Sequence, residues 1–594
     1  MALPEKRVRK AVQMTGVPEV TPGFFRAIAL DLDGTLAQHD RVEAETLAAV
    51  RGAIARGLRV VVVTGRTLED LDSTFPGLRD ELSAVVAENG AVLASALGVR
   101  ELADPVDPAI GAVLDARGVK WRTGRVLLAC DGADEPVVAA TIRELGLDYE
   151  LVRNRQALMV LPPGVTKAAG LLELLGELGL SPHNTIAVGD AENDHTMLAS
   201  CELGVAVSDA VEALRTRADL VLELPNGEGV ARFLGGGLLR GEQRLPPGHW
   251  RIEIGTDDDG QPVTLPASQL NLIVSGDAGV GKSYLAGLIA EQLALKRYSV
   301  VVIDPEGDHV GLHRLHGVTV VDAGRIECSG DLLALLLQEG SSIVIDLSSL
   351  DAEAQASLIA CLPAEIEAER ERRGLPHWVV IDEAHRPVRP RGVLEALDPS
   401  SKGYLLVTYR PGELAPDVVA STDAVLALGT AHPDAALVDL TGAVAGVPRA
   451  RAARLLAGAA GRAFLAWRDR PGKITVFTPG QRITAHHRHD HKYAVGRLAP
   501  DRRFHFRESP DQLAGYTAGS LAELETVLAT CGRSVLRHHL PLHDISIWVR
   551  DIFGYRDLAS RLREVEGTVE GDSPAAVVEG ARAKLIAALH TSTC

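Results

Sequence analysis

The sequence has little of what marks secreted, metal-ribbon or membrane-spanning proteins. No run of 18 apolar residues occurs, and the first twenty residues lack the apolar stretch of a signal peptide. The cysteines are few, lie far apart and form no CxxC pair, which argues against a disulfide framework and a zinc ribbon: Cys130, Cys201, Cys328, Cys361, Cys531 and Cys594. We therefore expect buried thiols in a reducing compartment, no membrane partner and a cytoplasmic location.

Positive charge is also in short supply. The chain has 61 Lys and Arg against 79 Asp and Glu, for a formal net charge of −18. Such a field repels polyanions at long range, so any binding of nucleic acid would need a local basic patch. With 594 residues and 46% hydrophobic content the chain can bury several cores, which excludes general disorder and predicts about four domains.

Two series of alternating strands and helices predict two successive α/β domains. Between Arg26 and about Gly237, runs such as AIALDLD and RVVVVTG alternate with helical stretches, and a similar series with NLIVSG and HWVVIDEAH begins near Leu265. The segment 235–250 is rich in Gly and Pro, as linkers are. Helical patterns over 520–590 predict a small, mainly helical C-terminal domain.

The predicted fold class is therefore α/β, with two successive parallel-sheet, Rossmann-like domains and the small helical domain. The expected boundaries are a tail at 1–24, a first domain at 25–237, a linker at 238–250, a second domain at 251–482, and a basic linker with the helical domain at 483–594.

The DLDGTLA segment is the first constellation with clear chemistry. A buried strand ends at Asp31, so Asp31 and Asp33 lie at the carboxyl end of a strand, where open α/β sheets bind their ligands. One carboxylate can attack phosphorus while the other protonates the leaving oxygen and later activates water. Because clustered carboxylates repel each other, the site requires a divalent cation.

Later motifs supply the remaining parts of a phosphoryl-transfer site. Thr64 ends the strand of VVVVTGR, Lys167 lies in GVTKAAGL at the start of a helix, and Asp190 with Asp194 lies in VGDAEND. A hydroxyl and an ammonium can bind phosphoryl oxygens, and carboxylates can bind Mg²⁺. An isolated DLDGT could be only an acidic turn, but four motifs in order argue against that interpretation.

In motif, order and spacing this set resembles the haloacid dehalogenase superfamily of phosphohydrolases over about residues 26–236. The resemblance implies that Asp31 is the nucleophile, Asp33 the general acid and base, and Thr64 and Lys167 the phosphate binders. It implies a Mg²⁺ site formed by carboxylates, namely Asp31, Asp33, Asp190 and Asp194.

Finer features resemble the members with a large α/β cap of type IIB. They include AENGAVL at Ala87–Leu93 and the lysine within GVTKAAGL, and the cap would span about residues 90–163. Caps of this kind in relatives select small phosphorylated sugars and related metabolites. The superfamily also contains phosphatases of nucleic-acid ends, so both substrate classes stay open.

The second constellation is the loop GDAGVGKS, which follows a strand and precedes an amphipathic helix. Gly276, Gly279 and Gly281 allow backbone N–H groups to converge on phosphates, Lys282 can reach the β and γ oxygens, and Ser283 can bind Mg²⁺. Because the flanking strand and helix are also present, the pattern predicts a nucleotide site.

Asp382 and Glu383 end a later buried strand, where the first can hold the Mg²⁺ shell and the second can orient or deprotonate water. The order of motifs over about 250–480 resembles the HerA–FtsK class of ATPases, which implies ATP hydrolysis and a homo-oligomer, a hexamer if the resemblance extends that far. Tyr409 departs from the polar amide usual in that class, and Arg410 matches a family arginine.

Three other interpretations of the second domain remain open. It could be a kinase joined to a phosphatase in an enzyme that heals nucleic-acid ends, a DNA-associated ATPase, or a nucleotide-sensing scaffold with negligible turnover. Residues 486–507 form a dense basic stretch with several histidines and interleaved aromatics, which indicates a solvated linker that could dock DNA or a protein partner.

Overall fold

The structure is a computed structural model. It describes residues 23–154, 157–277, 280–325, 340–385, 402–429, 433–458, 462–484, 503–510, 512–550, 556–570 and 572–593. These residues form two compact units. The first comprises Met1–Pro305 and Leu312–Thr484, and the second comprises Glu306–Gly311 and Ala485–Cys594.

The amino-terminal part of the first unit contains two sheets. Its strands are β1 (Ala27–Asp31), β2 (Arg59–Val63), β3 (Ala84–Ala87), β4 (Val92–Ser95), β5 (Gly98–Glu101), β6 (Trp121–Thr123), β7 (Leu128–Asp131), β8 (Glu150–Asn154), β9 (Ala157–Leu161), β10 (Thr185–Gly189), β11 (Leu203–Ala206) and β12 (Leu220–Val221). The larger sheet has the order β12-β11-β10-β1-β2-β3-β4-β5. It is parallel from β12 to β3, whereas β4 and β5 pair antiparallel at its edge.

Helices cover this sheet, and its inner strands β11, β10, β1, β2 and β3 are almost fully apolar because both faces are buried, whereas the edge strand β5 is exposed. The helices of the region are α1 (Ala44–Ala55), α2 (Leu68–Thr74), α3 (Pro108–Ala116), α4 (Glu135–Glu144), α5 (Lys167–Leu178), α6 (His195–Ser200), α7 (Glu212–Arg215) and α8 (Asn226–Leu234). The smaller antiparallel sheet, β6-β7-β9-β8, packs with α3 and α4 around its own apolar core. We call these last elements the cap.

The rest of the first unit is built on one long mixed sheet. Its strands are β13 (Arg251–Thr256), β14 (Pro262–Pro266), β15 (Asn271–Ser275), β16 (Val300–Asp304), β17 (Val318–Asp322), β18 (Ser342–Asp346), β19 (Trp378–Ile381), β20 (Tyr404–Thr408), β21 (Ala424–Leu428), β22 (Ala463–Trp467) and β23 (Ile474–Pro479). The order is β14-β13-β23-β22-β21-β15-β20-β19-β16-β18-β17, parallel from β21 to β17 and antiparallel beyond β21. The antiparallel edge is an addition to the predicted parallel sheet.

Alternate residues of the central strands face opposite sides of this sheet and form two separate apolar cores. Helices on the two faces complete those cores: α9 (Lys282–Leu295), α10 (Ala352–Arg373), α11 (Pro416–Ser421), α12 (Ala435–Ala445) and α13 (Arg449–Ala457). The structure thus confirms the predicted fold class of two successive parallel-sheet domains.

The two large sheets meet through the amino ends of their parallel strands. Glu202, directly before β11, is fully buried and accepts a hydrogen bond from the Tyr298 hydroxyl at 2.7 Å, just before β16. His183, just before β10, contacts the carbonyl of Lys296 at 2.9 Å and stacks on Tyr298 with ring centroids 3.7 Å apart. His377, directly before β19, packs edge-on against His183. We call Glu202, His183, Tyr298 and His377 the junction.

In the second unit a hairpin precedes the helices. Strands β24 (Phe504–Ser509) and β25 (Gln512–Ala518) pair antiparallel and are followed by α14 (Leu521–Thr530), α15 (Arg533–His539), α16 (Asp544–Trp548), α17 (Arg556–Glu566) and α18 (Ala575–Thr593). The hairpin was not predicted, because the alternating pattern of its first strand begins inside the basic stretch. Phe504 and Phe506 are the buried members of that alternation.

Among the described residues, no helix combines the length and the apolar character that crossing a membrane requires.

Candidate functional site

Three adjacent strands of the first sheet bring the predicted phosphatase residues together. Asp31 ends β1, Thr64 follows β2 and Asp190 follows β10, and these strands are neighbours in the order β10-β1-β2. Lys167 is the first residue of α5, whose start is capped by the hydroxyl of the preceding threonine. The Lys167 ammonium contacts the Asp31 carboxylate and donates to Asp194 Oδ1 at 2.7 Å.

All members of this cluster are buried. Asp31 is 3% exposed, and Lys167 and Asp190 are 1% and 2% exposed. Asp194 is held further, since its Oδ2 accepts the backbone N–H groups of Asp190 and Ala191, each at 3.0 Å. A buried charge is stable only when it is paired and hydrogen-bonded, so this set of contacts holds the ionisable groups in place without solvent.

The cluster perturbs the pKa values of its members. Burial, together with the charges of Asp194 and Asp190, raises the pKa of Asp31 well above its ordinary value, and the Lys167 ammonium offsets only part of this shift. Burial lowers the pKa of Lys167, but the Asp194 and Asp31 carboxylates outweigh it, and the net pKa of Lys167 lies above its ordinary value. Lys167 therefore stays a cation, while Asp31 needs more positive charge to ionise fully.

The donor set fits a divalent cation. Asp31, Asp190 and Asp194 each offer a carboxylate oxygen, and these oxygens all lie within 4.8 Å of one another. Three carboxylates against the single Lys167 ammonium leave a formal charge of −2, which a divalent cation neutralises. Carboxylate oxygens are also the ligands that Mg²⁺ prefers. These three residues are therefore the ones that would hold Mg²⁺.

Asp33 has a different environment from the other predicted magnesium ligands. Its carboxylate receives two parallel hydrogen bonds from Arg66, from Nε at 2.8 Å and from Nη2 at 2.6 Å. Its side chain is 33% exposed, against 5% for Asp31. The guanidinium thus fixes the orientation of the Asp33 carboxylate, and the partial exposure of this side chain leaves it accessible to solvent.

Thr64 lies where a phosphate binder is expected. It is 1% exposed, and its hydroxyl accepts the N–H of Arg66 at 3.1 Å, which orients the turn that carries the Arg66 side chain. Thr35 contributes a second hydroxyl, which donates to Asp190 Oδ1 at 3.5 Å. The hydroxyls, the ammonium and the carboxylates thus surround the carboxyl end of β1.

The second predicted site lies at the carboxyl end of the other parallel sheet. Gly276, Tyr409 and Asp382 follow the neighbouring strands β15, β20 and β19. Gly281 precedes the helix α9 with a left-handed φ of 104°, a conformation that glycine adopts without strain. Lys282 is the first residue of α9 and Ser283 the second, so both stand at the positive end of a helix dipole.

The Lys282 ammonium donates to the carbonyl oxygen of Asp277 at 2.8 Å and lies 5.6 Å from the centre of the Tyr409 ring. A cation over an aromatic face is attracted by the ring, so Tyr409 supports the lysine where relatives of the class carry an amide. Gly279, the remaining predicted phosphate-loop glycine, lies outside the described residues.

Asp382 and Glu383 stand beside this loop. Asp382 is 3% exposed, and its Oδ1 accepts the N–H of Glu383 at 2.8 Å. Glu383 has a left-handed φ of 50°, which is uncommon for a residue other than glycine and concentrates at functional sites. Its carboxylate lies 3.5 Å from His385, which in turn contacts the hydroxyl of Thr408 at 3.2 Å. Both acids follow β19, so they lie at the same carboxyl edge of the sheet as the start of α9 with Lys282.

Some predicted features fall elsewhere. Arg410 is paired on the surface with Glu413 at 3.1 Å. Of the basic stretch 486–507, only residues 503–507 are among the described ones, and they open the hairpin of the second unit. A DNA or protein partner at that stretch stays a prediction.

Sequence reasoning gave no role to Arg66 or Glu88, although both lie in the quoted motifs. Arg66 is the third residue of TGR, and its link to Asp33 spans 33 positions, so only the parallel register of β1 and β2 reveals it. Glu88, in AENG, is fully buried, which is unusual for a carboxylate. This signal comes from the structure and could not be read from the sequence.

Comparisons with known proteins agree with the geometry. Residues 28–101 and 142–234 match the haloacid dehalogenase-like hydrolase family, and the interruption between them falls within the cap. Residues 252–375 match the family described as the central domain of the helicase HerA.

Two relatives are matched over all or nearly all of their own length. The phosphoglycolate phosphatase of Methanothermobacter thermautotrophicus is 34% identical over 223 residues, which are 36% of this chain and 100% of that protein. Phosphoglycolate phosphatase 2 of Saccharolobus solfataricus is 31% identical over 218 residues, 35% of this chain and 90% of that protein.

Among solved structures, a haloacid dehalogenase-like hydrolase from Bacteroides thetaiotaomicron aligns at 21% identity and a TM-score of 0.32, covering 36% of this chain and 98% of that one. The motifs, the buried carboxylate cluster and the full-length match to a relative lead to one family assignment. The chain belongs to the haloacid dehalogenase-like hydrolases and is a phosphatase of that type fused to a HerA-like domain.

Proposed function

We propose that the first domain, residues 25–237, is a Mg²⁺-dependent phosphomonoesterase with Asp31 as its nucleophile. The observation that supports this most is the buried cluster in which Lys167 bridges Asp31 and Asp194 next to Asp190. The Asp31 carboxylate lies at the end of β1 beside the Lys167 ammonium, in a cluster whose carboxylates outnumber its cations. This arrangement suits attack on a phosphate ester.

The residues divide the reaction into two steps. Asp31 attacks phosphorus and forms an aspartyl phosphate while the ester P–O bond breaks, and Asp33 gives its proton to the leaving oxygen. Asp33 then takes a proton from water, which attacks the same phosphorus and releases phosphate, regenerating Asp31. Thr64 and Lys167 bind the phosphoryl oxygens throughout. Bound Mg²⁺ would neutralise the excess negative charge of the cluster.

For the substrate we propose small phosphate esters, with phosphoglycolate first among them. The relatives that match over their full length or nearly so are phosphoglycolate phosphatases. Phosphorylated sugars remain in the same class, since a cap covers the site and selects substrates by shape.

We propose that the second domain binds ATP with Mg²⁺ and hydrolyses it. Lys282 and Ser283 at the start of α9 would bind the phosphates and the cation, and Asp382 with Glu383 would hold the cation shell and orient water. The match to the HerA central domain supports this proposal. We also propose that the chain forms a homo-oligomer.

The first proposal is tested by phosphate release from phosphoglycolate, sugar phosphates, nucleotides and oligonucleotides phosphorylated at the 3′ or 5′ end. Each substrate is measured with Mg²⁺ and with excess chelator. We expect turnover of the small esters that the chelator abolishes. Preferred hydrolysis of oligonucleotide ends would overturn the substrate class, and turnover that survives the chelator would overturn the cation requirement.

The second proposal is tested with Glu383→Gln, and Glu353→Gln at an exposed position on α10 is the matched control. ATP hydrolysis should be lost in Glu383→Gln while nucleotide binding stays, since the amide cannot accept a proton from water. A scaffold with negligible turnover would show no hydrolysis even in the wild type. Strong, salt-sensitive stimulation of hydrolysis by DNA would favour a DNA-associated ATPase.

A further inference from the structure

A short turn between β3 and β4 of the larger amino-terminal sheet contacts the cap. We call this sheet with its covering helices the catalytic domain. Glu88 in this turn is fully buried and has a left-handed φ of 52°. Its carboxylate accepts three consecutive backbone N–H groups from the cap: those of Arg125 and Val126 at 2.8 Å each, and that of Leu127 at 3.0 Å. Three hydrogen bonds from consecutive residues to one side chain attach this segment of the cap to the turn.

The same turn contacts the segments that carry the catalytic residues. The Glu88 N–H donates to the carbonyl of Arg66 at 2.9 Å, and the Asn89 N–H donates to the carbonyl of Thr64 at 2.9 Å. The Asn89 side chain also accepts from Asn193 at 3.3 Å, next to Asp194 in the chain.

Gly90 completes these contacts on the side of α5. A Cβ at Gly90 would lie 2.0 Å from the carbonyl oxygen of Thr166, which directly precedes Lys167. The backbone of the turn can therefore approach the start of α5 only because residue 90 is glycine. The turn 88–90 thus meets the segments of Thr64, Lys167 and Asp194 at one point.

On the cap side, Glu88 binds the connection between β6 and β7. Val126 and Leu127 are each 1% exposed and pack in the core of the catalytic domain rather than in the core of the cap. Gly124 leaves room for the carboxylate, since a Cβ there would lie 2.4 Å from the Glu88 carboxyl carbon. The segment 125–127 of the cap therefore packs into the catalytic domain where the Glu88 carboxylate accepts its N–H groups.

We propose that Glu88 is a positioning residue that fixes the cap over the catalytic carboxylates and thereby sets the preference for substrates that extend from the phosphate into the cap. This inference rests on the proposed phosphatase function. In the proposed mechanism Thr64 and Lys167 bind the phosphoryl group from the catalytic domain, and a group beyond the phosphate would contact the cap. Loosening the attachment should therefore affect long substrates more than short ones.

The test is Glu88→Gln, because a glutamine amide keeps the size but turns an N–H₂ group towards backbone N–H donors. The substrates are phosphoglycolate, which carries a carboxylate beyond the phosphate, and methyl phosphate, which does not. We expect the ratio of their kcat/KM values to fall at least about tenfold, in line with the cost of a misplacement near 1 Å. The matched control is Glu177→Gln, a carboxylate that accepts a hydrogen bond from Ser95 without touching the cap.

Gly124→Ala gives an independent route to the same result if Glu88→Gln folds poorly, because it crowds the carboxylate from the cap side. A fall in the ratio with either variant, with the circular dichroism spectrum unchanged, supports the proposal. An unchanged ratio, or an equal loss for both esters, overturns it and assigns Glu88 a general structural role. If the wild type hydrolyses neither ester with Mg²⁺, the proposed phosphatase function itself is overturned. A result in the variants alone bears only on the role of Glu88.

Discussion

The phosphatase site and the nucleotide site differ in how their lysines are held. Lys167 is buried between two carboxylates, Asp31 and Asp194, and its charge is part of the site before any ligand arrives. The described contacts of Lys282 include the backbone carbonyl of Asp277 and the face of the Tyr409 ring, at the start of a helix. The first site thus holds its cation between acidic side chains, whereas the second presents its cation at the positive end of a helix dipole, where anionic phosphates are favoured.

The largest effect should come from removing the nucleophile. Asp31→Asn keeps the shape of the side chain but cannot form the aspartyl phosphate, so phosphate release from small esters should fall by at least about 10⁴-fold. ATP hydrolysis should stay within about twofold of the wild type if the sites are organised separately. Asp72→Asn, on the exposed face of α2, is the matched control. Residual phosphatase activity near the wild-type level would refute Asp31 as the nucleophile.

The corresponding change at the other site is Lys282→Ala. Loss of the ammonium that faces the phosphates should reduce ATP hydrolysis by about 10²- to 10³-fold and weaken nucleotide binding, measured by turnover and by titration with a fluorescent nucleotide. Lys296→Ala, at the far end of the same helix, should change neither. A large loss of phosphatase activity in Lys282→Ala would show that the two sites are not independent.

A smaller effect should follow from Arg66→Lys, which tests how far the phosphatase site depends on fixed geometry. Lysine keeps the charge but cannot bind both Asp33 oxygens in parallel, so the acid and base should be misoriented. We expect kcat to fall by about 10²-fold with KM nearly unchanged. The control is Arg79→Lys, a surface pair with Asp72. A rise in KM with kcat unchanged would mean that Arg66 binds substrate instead.

The smallest effect concerns the junction that both domains share. Burial, with the nearby His183 and Arg370 charges, holds the pKa of His377 well below its ordinary value. The unfolded chain takes up this proton near pH 6.5 but the folded protein does not, so stability should fall as the pH drops below about 6.5. A loss of about 1 kcal/mol between pH 7 and pH 5.5 is expected from this histidine in denaturant unfolding.

His377→Asn should flatten that dependence, because asparagine has no group that titrates in this pH range. The variant should still fold, since the asparagine oxygen can replace the Nδ1 that accepts the Ser299 N–H at 2.9 Å. The comparison is the slope of unfolding free energy against pH for the two proteins, not their absolute stability. Equal slopes would mean that other groups of the first unit dominate the acid response.

The motifs predicted much of this structure because their chemistry is local. Asp31 ends an apolar strand, and Asp190 and Gly276 each follow one, so the sequence alone places all three at strand ends. Each parallel sheet then brings its own strand ends together at one edge. The partners of Asp33 and the burial of Glu88 could not be predicted in that way, since they depend on contacts between segments 33 and more positions apart. The hairpin at Phe504–Ser509 was missed because its alternation of aromatic and charged residues resembles a basic linker.

The contact between the amino ends of the two sheets determines where the two candidate sites lie relative to each other. Ligands bind at the carboxyl ends of parallel strands, so the two candidate sites lie at the ends of the sheets away from the junction at Glu202 and Tyr298. In the described part of the first unit, the two sites therefore lie on opposite sides of the junction. What the fusion provides is equal copy number, with every phosphatase made, placed and removed together with its own nucleotide-binding partner.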